Sequence, residues 1–83
     1  MKITPLRNDL VKYLKKHNLT AKFNKAKELF EMDPLYPSLH VELLEPKHRL
    51  IYSFRLDRKY RALFIYTGKD EIEIVAFTNH YKK

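Results

Sequence analysis

The 83-residue chain contains no cysteine, no tryptophan and a single glycine, Gly68. Without cysteine there is neither a disulfide framework nor a thiolate zinc site, and nothing calls for an oxidising compartment. One glycine cannot build a glycine-rich phosphate loop, and a G-x-S-x-G elbow and metal-spaced histidine pairs are missing as well. Long apolar runs are also absent. The longest is Ala62 to Tyr66, far below the ~20 residues of a membrane helix, and the first residues hold no apolar stretch of the secretory type. The expectation is a cytoplasmic protein with no membrane contact, metal or cofactor.

Acidic charge is the scarcer sign. Ten Asp and Glu against 17 Lys and Arg leave +7 and an isoelectric point near 9.7, a field that favours polyanions and makes nucleic acid the leading partner class. Residues 1 to 30 are the most cationic part, with Lys2, Arg7, Lys12, Lys15, Lys16, Lys22, Lys25 and Lys27 set against Asp9 and Glu28. A solvated helix face explains the same charges. The hydrophobic share of 45%, with six Tyr and five Phe, is that of a folded core rather than a disordered chain, and the length suits one domain over residues 1–83.

Periodicity places helices first and strands after. Thr4-Pro5 predicts the start of a helix over about 5 to 17, with Leu6, Leu10, Tyr13, Leu14 and His17 as its apolar stripe. Thr20 is expected to cap a second helix running to about Met32, with Phe23, Ala26, Leu29 and Phe30 inward and Asp33-Pro34 as its stop. The short link between them predicts an antiparallel hairpin. Pro34 and Pro37 mark a loop, and His40 to Leu44 is a candidate extended segment. Runs of β-formers at Ile51 to Leu56, Tyr60 to Thr67 and Glu71 to Thr78, joined by short polar links, predict an antiparallel meander. Alternation puts Tyr52, Phe54 and Leu56, then Tyr60, Ala62, Phe64 and Tyr66, on the face toward the helices. The opposite parity carries Ser53 and Arg55, then Arg61 among Leu63 and Ile65, and is where chemistry is expected. The fold class is therefore α+β, two N-terminal helices packed on a small twisted antiparallel sheet.

With the phosphate, zinc and serine-nucleophile motifs missing, Glu, His, Arg and Tyr are the candidates left. They suffice for one metal-independent reaction. RNA is cut when its own 2′-hydroxyl attacks the neighbouring phosphodiester, given a base, an acid for the leaving oxygen and a cation for the phosphorane.

Tyr52-Ser53-Phe54-Arg55-Leu56, then Lys59-Tyr60-Arg61-Ala62-Leu63-Phe64, an Ile-rich strand and Asn79-His80-Tyr81 resemble the RelE/ParE toxin superfamily, and within it the YoeB-type mRNA interferases. The family's W-S-x-R-I strand, H-R-L-V-Y strand and C-terminal H-Y correspond here to Y-S-F-R-L, Y-R-A-L-F and His80-Tyr81. The family's glutamate lies ten residues before the strand aromatic, which lands on Glu42. Tyr52 stands where the family has Trp, Lys82 and Lys83 follow the His-Tyr pair, and the first strand is reduced to about Met1 to Thr4.

The resemblance implies a RelE-like fold and a toxin of a type II toxin–antitoxin pair that cuts mRNA on the ribosome and so inhibits translation. It makes Glu42 the general base, His80 the general acid, Arg61 the phosphate clamp and Tyr81 an orienting hydroxyl. Arg55, Lys59, Lys82 and Lys83 would touch RNA phosphates. Lys12, Lys15, Lys16, Lys22, Lys25 and Lys27 would dock on ribosomal RNA. The partners it implies are the ribosome, mRNA and an antitoxin whose acidic, partly disordered segment folds on binding into a hetero-oligomer.

Each residue also has a plainer reading. Glu42 beside Glu45 and Lys47 fits a solvated acid, Arg61 fits an ion pair with Asp57 or Glu73, and His80 and Tyr81 fit a frayed end. Two other functions stay open. One is a ParE-like toxin that inhibits DNA gyrase without nuclease activity, and the other is a basic RNA- or partner-binding module.

Overall fold

The computed structural model describes residues 1–79. Its elements run β1 (Lys2–Ile3), α1 (Asn8–Lys16), α2 (Thr20–Met32), a 3₁₀ turn at Pro37–Leu39, β2 (Glu42–Leu43), a second 3₁₀ turn at Lys47–Arg49, β3 (Tyr52–Arg55), β4 (Arg61–Gly68) and β5 (Glu71–Thr78). The five strands form one sheet in the order β1-β5-β4-β3-β2. β3, β4 and β5 pair antiparallel as the three-strand meander expected, and the short β2 adds antiparallel to β3. β1 instead joins β5 in parallel, so the sheet is mixed. Among the described residues no helix is long and apolar enough to cross a membrane.

Both helices form because each has an apolar stripe to bury against the same sheet face. Leu10 and Leu14 of α1 and Phe23, Ala26 and Phe30 of α2 are buried there with Phe54, Ala62, Phe64, Ile72, Ile74 and Phe77. Phe30 is fully enclosed, its ring 5.1 Å from Phe54 and 5.3 Å from Phe64. Met32 ends α2 where expected. Two start signals read from sequence are corrected. Thr4 does not cap α1, because its N–H is committed to the sheet through Ile72 O at 3.0 Å, so the helix starts at Asn8 after Arg7. Thr20 is already inside α2. Asn18 turns the chain at φ 56°, Leu19 drops into the core, and Leu19 rather than Thr20 is the capping position.

Tyr66, expected on the packed face, is 44% exposed because β4 runs out past the cover of the helices. The outward N–H of edge residue Ile3 is taken by Glu31 Oε2 of α2 at 3.0 Å, which ties the short β1 to the helix layer.

The turn between β3 and β4 is organised by Asp57. One carboxylate oxygen accepts the N–H groups of Lys59 and Tyr60 at 2.8 and 2.7 Å, and the other accepts from Lys22 Nζ of α2 at 2.8 Å. Burial alone pushes this carboxyl up, but the Lys22 contact and the two backbone donors outweigh it and hold the group below its ordinary value of 3.8. A depressed carboxylate stabilises the fold at pH above its unfolded value, and that contribution is lost as pH falls through the folded one. Asp57→Asn is therefore expected to lose about 1–2 kcal/mol at neutral pH and to flatten the acid limb of the stability curve below pH 3.8. Urea unfolding at several pH values measures both, and a variant that matches the wild type throughout rejects the assignment.

Candidate functional site: the open face of the sheet

The face turned away from the helices is built by strand register. Glu42 pairs with Ser53, which pairs with Leu63 and then Ala76. In the next row, Arg55 pairs with Arg61 and Arg61 with Thr78. Paired residues share a face, so Glu42, Ser53, Arg55, Arg61 and Thr78 all point to the side opposite the core.

Arg61 decides the chemistry of this surface. It is only 2% exposed, far outside the usual range for arginine. Its Nε donates to Ser53 Oγ at 3.0 Å, and Nη2 donates to the carbonyl of His40 at 2.6 Å. Neither Asp57 nor Glu73, the partners considered from sequence, supplies these bonds. Asp57 is engaged with Lys22, and Glu73 pairs with Ile65, four residues further along β4. The guanidinium therefore leans across β3 to the residue directly opposite Glu42, which brings carboxylate and cation into one neighbourhood. His40 offers its carbonyl because it closes the first 3₁₀ turn in the left-handed region, at φ 46°.

Arg55 stands directly opposite Arg61, and like charges facing each other across a strand pair repel. A buried guanidinium with a second cation beside it is a setting that an anion stabilises.

A bulge sets the other edge of the site. Leu63 pairs with Ala76 but Phe64 with Ile74, leaving Val75 as the extra residue. Its carbonyl accepts from Arg7 Nη2 at 3.2 Å, and Arg7 is itself clamped to Asp9 at 3.0 Å. The parity switch is visible in burial. Ile72 and Ile74 are buried before the bulge and Phe77 after it, which turns Thr78 onto the face of Arg61.

Of the site residues expected from sequence, the structure brings together Glu42, Arg55 and Arg61. His80, Tyr81, Lys82 and Lys83 lie outside the described residues. Lys59 sits elsewhere: its Nζ lies 5.7 Å over the Tyr60 ring, and the Tyr60 hydroxyl contacts His17 of α1 at 3.2 Å, so Lys59 belongs to the helix side. Lys12, Lys15 and Lys16 are exposed on α1, Lys22 and Lys25 are exposed on α2, and Lys27 is half-buried. Lys22 is tied to Asp57, so these lysines are not one uniform surface. Two contributors were missed from sequence. Ser53 had a detectable signal, a hydroxyl between two aromatics of a strand, whereas the carbonyl of His40 carries none.

This is the α+β fold of the RelE/ParE-type toxins. Structures it matches include a YoeB/ParE toxin from Agrobacterium tumefaciens, at TM-score 0.70 and 19% identity over 98% of this chain and 100% of the other, and two Staphylococcus aureus structures. Of these, a YoeB-YefM complex matches at TM-score 0.69 and 21% identity, covering 95% of each chain, and a heterotetrameric YoeB-YefM toxin–antitoxin complex at 0.67 and 19%, covering 96% and 94%. No protein-family model and no curated protein sequence matches the chain.

Proposed function

We propose that the protein is the toxin of a type II toxin–antitoxin pair and a metal-independent endoribonuclease that cuts mRNA on the ribosome, in the cytoplasm. One observation carries this reading. A buried arginine, held by Ser53 and His40, lies on the same sheet face as Glu42 and opposite Arg55 and Thr78. The likeness in fold to YoeB toxins supports it, and the YoeB-YefM complexes support an antitoxin as partner in a hetero-oligomer.

In the proposed reaction Glu42 takes the proton of the 2′-hydroxyl, whose oxygen attacks the adjacent phosphorus. Arg61, aided by Arg55, stabilises the charge gathering on the phosphorane oxygens. As the P–O5′ bond breaks, His80 gives its proton to the leaving 5′-oxygen, and Tyr81 orients the phosphate. The products are a 2′,3′-cyclic phosphate and a 5′-hydroxyl. In the sequence His80 follows Thr78, the register partner of Arg61, by two positions. The ribosome positions the substrate, so the isolated face need not hold RNA tightly.

Inducible expression of the wild type, Glu42→Gln and His80→Ala, followed by primer extension on mRNA from translating cells, tests this. Ribosome-phased cuts in the wild type should fall on the order of 100-fold or more in each variant, as expected for loss of a general base or acid. Growth arrest with intact transcripts would point instead to a ParE-like gyrase inhibitor. No arrest and no cuts would leave a basic binding module.

A further inference from the structure

Beside the Arg61 face, a cleft of about 390 Å³ opens between α2, the first 3₁₀ turn and the β3–β4 turn. Its rim is cationic, with Lys22, Lys25, Arg55, Arg58 and the His40 side, and its floor is apolar, with Ala26, Leu29, Leu39 and Leu56. Asp57 is the single carboxylate in the lining, and it is already bonded to Lys22. Lys25, Arg55 and Arg58 have no ion-pair partner among the described residues. Three positive charges are thus gathered in a recess with no counter-charge left for them among the described residues.

The cleft shares Arg55 and His40 with the candidate site. Arg55 lines the cleft and stands opposite Arg61 in the sheet, and His40 lines the cleft while its carbonyl receives Arg61. Toward β5 the same face offers Leu63, Ile65 and Ala76 and the carboxylate of Glu73 beside Ile65, with Arg7 committed to Asp9 and to the Val75 carbonyl. A polyanionic strand lying across Arg61 therefore meets cations on the cleft side and, on the other, apolar residues with the acid Glu73 among them.

We propose that this cleft is an anion-binding extension of the Arg61 site that holds backbone phosphates of single-stranded RNA flanking the scissile linkage, with Lys25, Arg55 and Arg58 as its ligands. The proposal rests on the ribonuclease reading for its substrate. The apolar floor packs against ribose and base, and the rim meets phosphate oxygens. Arginine's planar fork matches two of those oxygens at once, so Arg58 contributes register as well as charge. Arg58, which sequence reading did not single out, becomes a binding residue. Lys25 moves from ribosome docking to substrate binding.

The test uses the full chain and a fully 2′-O-methylated RNA octamer, which binds but cannot be cut because no free 2′-hydroxyl remains. Its affinity is measured by fluorescence anisotropy from 50 to 200 mM salt for the wild type, Lys25→Ser/Arg58→Ser and the charge-matched control Lys2→Ser/Lys69→Ser. Both pairs are exposed, and thermal melting confirms that each variant is folded. Each lost phosphate contact lowers the salt slope by about 0.7 for a single strand, so the cleft variant is expected to lose about 1.4 in slope and on the order of tenfold or more in affinity at 50 mM. The control is expected to stay close to the wild type.

Equal affinity and slope in the cleft variant and the control overturn the proposal. So does a polyglutamate peptide whose binding falls in the cleft variant while the octamer's does not, since that outcome marks a docking site for an acidic protein segment. If the wild type cuts no mRNA yet the octamer depends on Lys25 and Arg58, the cleft stands and only the nuclease reading fails.

Discussion

Arg61→Lys is expected to keep the positive charge and lose the activity. Lysine offers a point charge on a flexible stem, whereas Arg61 directs Nε to Ser53 Oγ and Nη2 to the His40 carbonyl with a planar fork of donors. An ammonium cannot satisfy both partners and a phosphorane from one position. Loss of a preorganised donor to a developing oxyanion typically costs on the order of 100- to 1,000-fold, and the same drop is expected here in ribosome-dependent cleavage.

Stability should fall as well, by about 1–3 kcal/mol, because a buried hydroxyl or carbonyl is left without its partner. The two effects separate experimentally. Ser53→Ala removes one brace and leaves the guanidinium, so it should lower cleavage much less than Arg61→Lys at a similar cost in melting temperature. Wild-type cleavage by Arg61→Lys would remove Arg61 from the reaction.

Phe30→Ala is expected to bring the domain to the edge of unfolding. The ring is fully buried, packed on Phe54 and Phe64, and it is the point where α2 grips the centre of the sheet. Truncating such a side chain costs about 3–5 kcal/mol through lost transfer energy and the cavity left behind. A chain of this length has on the order of 4–12 kcal/mol in total, so the melting temperature should drop by roughly 15–30 °C. Phe30→Leu, which refills most of the space, should recover most of the loss. Thermal denaturation followed by circular dichroism decides. A shift of only a few degrees in Phe30→Ala would mean that the aromatic stack is not what holds the two layers together.

The two helices were legible because their apolar residues recur at the helical period, and the interiors of α1 and α2 fall where Leu10, Leu14, Phe23, Ala26 and Phe30 place them. Their starts were not. A Thr before a helix looks like a cap, but Thr4 belongs to a strand ladder and Thr20 follows a left-handed turn, and both depend on contacts made elsewhere in the chain. The stunted first strand was visible in the few residues before Pro5. Its parallel pairing with β5 was not, because the partner lies almost seventy residues away.

The candidate site divides along the same line. Arg55 and Arg61 could be placed on one face from strand alternation, a local count along the chain, whereas Glu42 came only from the family resemblance. Three things needed the folded arrangement: the burial of Arg61, its hold on a main-chain carbonyl, and the neighbouring cationic cleft. The bulge at Val75 is the clearest instance. Simple alternation through β5 would put Phe77 outward and Thr78 in the core, and one unpaired residue reverses both. Composition and periodicity thus determined by themselves a basic α+β protein and which residues alternate within each strand. Tertiary structure alone decided which alternating sets meet across strands, because register depends on pairing energies between segments distant in sequence.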